Sequence, residues 1–133
     1  MNNDKQLIYE QYLAVTENTR QNPVVDRRGN KHWYNENNKL HREDGPAAEY
    51  ADGTKRWYIN GKFHREDGPA VERADGRKEW HVNGKFYNTI PEWVEALFEF
   101  KKWTPEFLAS KGKDYDKLVN IYAQKMINDY EQG

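Results

Sequence analysis

Between residues 23 and 89, apolar and aromatic residues come in short runs broken by Gly, Pro or Asn-Gly. Runs this short, rich in Trp, Tyr, Phe and Val, predict strands joined by tight turns. Trp57-Tyr58-Ile59 and Lys62-Phe63 flank Asn60-Gly61, a strong two-residue hairpin signal. Asp67-Gly68-Pro69 and Asp75-Gly76 predict further turns. There an aspartate can accept its own downstream N–H and a glycine can supply positive φ. On either side the spacing turns helical. Leu7, Ile8, Gln11, Tyr12 and Val15 share a face over 4–21, which Asn22-Pro23 brings to an end. Thr89-Ile90-Pro91-Glu92 is a capping box with proline in the first turn, followed by Ile90, Trp93, Val94, Leu97 and Phe98 on one face. Thr104-Pro105-Glu106 starts a short second helix that Gly112 can end. Asp114 opens a third, striped by Tyr115, Leu118, Val119, Tyr122, Met126 and Tyr130.

The strand region is a repeat. Trp33, Trp57 and Trp80 align at spacings of 24 and 23. Gly29, Gly53 and Gly76 align upstream of them, as do Lys31, Lys55 and Lys78. Downstream, Asn37, Asn60 and Asn83 precede Lys39, Lys62 and Lys85. The motif from His41 to Ala47 returns from His64 to Ala70. The third unit is cut short: Tyr87-Asn88-Thr89-Ile90-Pro91 replaces His-Arg-Glu-Asp-Gly, as expected of a terminal unit in an array. The expected fold is α+β in a single domain, 1–133. An N-terminal helix (1–22) precedes a meander of eight or nine short antiparallel strands (23–89), and a C-terminal helical segment (90–133) follows.

Pairing about Asn60-Gly61 sets Ile59 opposite Lys62, Tyr58 opposite Phe63 and Trp57 opposite His64. Trp57, Ile59 and His64 are then expected on one face, and Arg56, Tyr58, Phe63 and Arg65 on the other. Trp80, Val82 and Tyr87 repeat the first set; His81 and Phe86 repeat the second. Both faces thus carry aromatic residues, so either the terminal helices cover both or one stays open as a binding surface.

Composition narrows the chemistry. The chain has no cysteine, which excludes disulfides, thiolate metal sites and cysteine nucleophiles. Ser110 is the sole serine. Glycines stand one per turn, not in a phosphate-binding order. The net charge of −1 is spread evenly, with no concentrated basic face of the kind duplex DNA binders carry. No apolar run is long enough for a membrane span. Met1-Asn2-Asn3-Asp4-Lys5 does not read as a secretory signal, so a cytoplasmic home is expected. The pairs Glu43-Asp44 and Glu66-Asp67 recur with the turn, whereas an enzyme needs one asymmetric site. Each histidine is expected to pack on its own tryptophan and bond the corner beside it. Each arginine is expected to pair with a neighbouring carboxylate and cover a tryptophan. No catalytic residue, metal ligand or cofactor is expected.

The motif Trp-Tyr-x-Asn-Gly-Lys-Phe-His-Arg-Glu-Asp-Gly-Pro-Ala, across about residues 25–87, resembles the HREDGPA repeats of phage and giant-virus proteins, which are similar to variant MORN repeats. The resemblance implies β-hairpin arrays acting as interaction scaffolds. It also implies a phage accessory protein that binds and inhibits a bacterial host or defence protein, in the manner of an anti-CRISPR protein, within the host cytoplasm. The expected binding residues are Tyr34, Arg56, Tyr58, Phe63, Arg65, His81 and Phe86, a surface that mixes aromatics with charge. Single-stranded nucleic acid is the alternative ligand of that face. The stripe from Tyr115 to Tyr130 could serve a homodimer.

Overall fold

The computed structural model describes residues 22–132; the helix expected over 4–21 lies outside them. Among the described residues, nine short strands form an antiparallel meander, and helices follow. The strands are β1 (Val24–Val25), β2 (Lys31–His32), β3 (Ala48–Glu49), β4 (Lys55–Arg56), β5 (Tyr58–Ile59), β6 (Lys62–Phe63), β7 (Val71–Glu72), β8 (Lys78–Val82) and β9 (Lys85–Tyr87). Seven of them pair in the order β1-β2-β3-β4-β7-β8-β9, and β5-β6 is a separate hairpin.

Each repeat tryptophan stands where one ladder hands over to the next. Trp57 N–H donates to Ala70 O (2.7 Å), while Trp57 O accepts from His64 N–H (3.1 Å). Trp33 repeats this with Ala47 and His41. The register about Asn60-Gly61 is the expected one, Tyr58 opposite Phe63 and Ile59 opposite Lys62. Asn60 (φ 50°) and Gly61 (φ 80°) both take positive φ, as a hairpin turn matching the strand twist requires. The first unit spends its extra residue on a longer loop. Asn35 N–H bonds Lys39 O, Asn38 takes the left-handed conformation (φ 61°), and Tyr34 still bridges Leu40.

Neighbouring units are tied at both rims. At the Asn-Gly rim, Gly61 N–H donates to Leu40 O and Gly84 N–H to Phe63 O, both 2.8 Å. At the Asp-Gly rim, Ala51 N–H donates to Asn30 Oδ1 (2.8 Å) and Ala74 N–H to Thr54 Oγ1 (3.2 Å).

Helix α1 (Ile90–Lys101) starts on Thr89, whose hydroxyl accepts from Glu92 N–H. It ends with Lys102 in the left-handed conformation (φ 57°). Trp103 N–H bonds Phe98 O, Lys102 N–H bonds Glu99 O, and the Phe98 and Trp103 rings meet edge to face. That is a Schellman ending with its usual apolar contact, built on a lysine instead of a glycine. α2 (Pro105–Ala109) follows, capped by Thr104. Gly112 does not simply end it. It precedes a 3-10 turn (Lys113–Tyr115) that runs into α3 (Asp116–Gln132).

The main core lies at this end of the chain. Val82, Trp93, Val94, Leu97, Phe98 and Leu108 are buried together, with Trp80, Tyr87 and Tyr122 packed against them. Tyr122 stacks on Phe98 at 4.1 Å. Ile90, expected on the buried face of α1, is exposed. Further up the array the core thins to Trp33, Ala47, Ala48, Ala70 and Val71.

Candidate functional site

The His-Arg-Glu-Asp-Gly-Pro corner is an internal fastening. In the second unit Arg65 lies over the Trp57 ring, 3.8 Å from its centroid. Its Nε donates to Asp67 (2.7 Å), and its Nη1 donates to Pro69 O (3.0 Å) and Glu72 (3.1 Å). Arg42 does the same over Trp33 (3.9 Å), bonding Asp44, Pro46 O and Glu49. A planar fork satisfied at three points while stacked on an indole is a role for arginine that lysine cannot fill. The pairing of arginine with a neighbouring carboxylate over a tryptophan is the arrangement expected from the sequence.

Two details of the corner depart from expectation. Gly45 and Gly68 do not take positive φ, and Asp44 and Asp67 bind the arginine instead of their own downstream N–H groups. The glycine is needed because a Cβ at Gly68 would come within 3.0 Å of the Arg65 guanidinium. The Asx-type bonds fall at the other rim, where Asp26, Asp52 and Asp75 accept backbone N–H groups two residues on. Such bonds hold the Asp52 and Asp75 carboxyls below the usual range, and Asp26 is held there chiefly by the N–H of Asn30, with that of Arg28 adding to it.

The histidines reach across units. His64 Nδ1 accepts from Asn83 N–H (3.0 Å) in the next hairpin, and its Nε2 faces Glu66 (3.3 Å). His41 bonds Asn60 N–H in the same way (3.0 Å). An accepting Nδ1 leaves Nε2 as the donor, so the neutral ring suffices for both contacts. The expected bond to the corner is present at His64, whereas His41 stands 3.6 Å from Glu43; the bond to the next unit was not foreseen. Glu66 is held below the usual range chiefly by His64, with burial opposing and Lys101 adding to it.

The predicted binding residues divide between the two faces. Tyr58, Phe63, His81 and Phe86 form a file of rings with centroids 4.5, 4.8 and 5.5 Å apart. Tyr34 belongs to a second group with His32 and Tyr50. Arg56 sits over Tyr50 (5.0 Å). Burial pushes the Tyr58 hydroxyl up, an effect Arg56 opposes. Arg56 Nε and His81 Nδ1 are buried without hydrogen-bond partners. Arg65 is the exception. It was expected beside Tyr58, yet it lies over Trp57 on the opposite face. Strand β6 ends at Phe63, so alternation stops before the corner turns the chain.

That tryptophan face holds a concavity of about 720 Å³. Its floor is Trp57 and Ile59. One wall is the corner from Arg42 to Pro46; the other is His64 to Asp67 with Asn83 and the end of α1. Phe100 packs against His64 at 5.3 Å, and Lys101 pairs with Glu66 at 3.3 Å. A second groove of about 570 Å³ lies beside Trp33 and His41, one unit up. Phe100 was missed because the apolar stripe of α1 was ended at Phe98. Phe100 stands seven residues after Trp93, on the same side of the helix, and that spacing was the signal that could have found it.

Among the described residues, no group of three or more His, Asp or Glu side chains is placed to hold a metal ion. No helix among them is long and apolar enough to cross a membrane. Comparison with protein-family models, curated proteins and solved structures gives no match.

Proposed function

We propose that the chain is a non-enzymatic protein-binding module built on a hairpin-repeat sheet. The observation that carries this is the open groove over Trp57 and Ile59, walled by two successive corners whose arginines are already fastened internally. An acid–base pair needs a carboxylate or histidine free to exchange protons with a substrate. Here the corner aspartates each accept from an arginine and the corner histidines each accept a backbone N–H of the next hairpin, the same way twice, so duplication supports a structural role for them. Concave surfaces with an apolar floor and polar walls suit a partner's protruding side chains. The resemblance to phage repeats extends the proposal to an accessory protein acting in a bacterial cytoplasm on a host or defence protein.

Single-stranded nucleic acid on the aromatic face is the second reading, and the file from Tyr58 to Phe86 with Arg56 nearby is what favours it. It ranks second because Tyr58 and Phe63 stack on each other, leaving less ring face for bases. Exposed Ile127 and Tyr130 on α3 are the residues a homodimer would use. Affinity capture from bacterial lysate, comparing the wild type with Phe100→Ala and Tyr58→Ala, tests the proposal. Loss of one captured protein with Phe100→Ala alone supports it. Co-purified nucleic acid, seen by 260/280 nm absorbance and released by salt, favours the second reading.

A further inference from the structure

We infer that the groove over Trp57 takes a basic segment of the partner, an apolar anchor side chain flanked by lysine or arginine. This rests on the protein-binding proposal and gives its ligand a chemical class. Among the described residues, every cation lining the groove is paired. Arg42 is paired with Asp44, Arg65 with Asp67, and Lys101 with Glu66. The carboxylates are not used up in return. Glu43, Asp44 and Asp67 are 84%, 88% and 83% exposed along the two rims. Among the described residues Glu43 has only His41 as a charged neighbour, at 3.6 Å, and Asp44 and Asp67 each accept from arginine Nε through Oδ1.

An incoming anion would meet these carboxylates with no free cation among the described residues of the groove to offset them. An incoming ammonium or guanidinium group meets partly satisfied acceptors on both rims, and complementary charge of this kind sets specificity and speeds encounter. Between the rims, half-buried Trp57 and Ile59 with exposed Phe100 give an apolar seat for one side chain. A basic flank on either side of an apolar anchor matches that order of acid, apolar and acid.

Amide NMR titration of the full chain with two synthetic peptides tests this. The probes are acetyl-Lys-Phe-Lys-amide and acetyl-Glu-Phe-Glu-amide. The basic probe is expected to shift the amides of Gly45, Glu66, Asp67 and Lys101, and the acidic probe to leave them in place. Glu43→Gln should weaken the basic probe by about threefold, as for one exposed charge contact. Phe100→Ala should weaken it further, and Phe86→Ala on the opposite face should not. Both groove side chains are exposed, and a dispersed spectrum for each variant verifies the fold. Equal shifts with the acidic probe, shifts confined to Tyr58 and Phe86, or no shifts at the groove overturn the inference. The lysate capture separates that failure from failure of the module itself. A protein captured equally by the wild type and Phe100→Ala leaves a binding module with its site elsewhere. Nothing captured above background sinks the module too.

Discussion

Trp57 and Trp80 occupy the same place in consecutive repeats, yet they are covered differently. Trp57 is roofed by one guanidinium, fastened to Asp67, Pro69 O and Glu72. Trp80 packs against the core of α1, with Val82, Trp93, Val94 and Leu97. The switch is written in a few aligned positions: Asn88 stands where Arg65 stands, and Thr89 where Glu66 stands. Thr89 then caps α1 instead of pairing with histidine. The helix even takes up a repeat hydrogen bond. Tyr58 O accepts Arg42 N–H, while its counterpart His81 O accepts the indole N–H of Trp93. A polar roof leaves a groove beside it, whereas a helical roof makes a core. The lesson is that losing the corner motif closes the array and provides most of its hydrophobic stabilisation.

The largest expected effect lies under the helical roof. Leu97 is fully buried, so Leu97→Ala should cost about 2–5 kcal/mol in denaturant unfolding. Arg65→Ala, under the polar roof, should cost less, about 1–3 kcal/mol, from the lost stacking and charged hydrogen bonds. If Arg65→Ala matched Leu97→Ala, the contrast between the roofs would fail. Lys102→Gly sharpens the account of how α1 ends. Relieving a left-handed lysine should stabilise the chain by about 0.5–1 kcal/mol, read as a rise in the urea midpoint.

The smallest effect is that of acid. Glu66 is held below its ordinary value of 4.5 by His64, with Lys101 adding to this, and Glu79 by Arg73, with His81 adding. For a carboxylate lowered on folding, the stabilisation is fully present above its unfolded value. It is lost as pH falls through the folded one. Urea midpoints should therefore fall as pH drops below about 4.5, and Glu66→Gln should flatten that slope without removing it.

The repeat phase, the Asn-Gly turns and the alternation of Trp80, His81 and Val82 were legible because they depend on period-two pairing and turn chemistry. The side of the sheet that Arg65 takes was not, because the corner follows the last paired residue and the long side chain folds back over the strand. The reach of His64 to Asn83 was illegible for a related reason. It depends on how units stack, which no single repeat encodes. The groove was hidden because Phe100 and Lys101 lie on another element, brought to Glu66 only when α1 docks.

The central claim is that the corner motif fastens one repeat to the next, which leaves recognition to the groove beside it. Amide hydrogen exchange of His64→Ala tests this most directly. The account predicts that the Asn83 amide loses protection by about tenfold or more, as a lost hydrogen bond of about 1.4 kcal/mol would give, while the Asn60 amide, held by His41, stays protected. Unchanged protection at Asn83, or an equal loss at both asparagines, would contradict it.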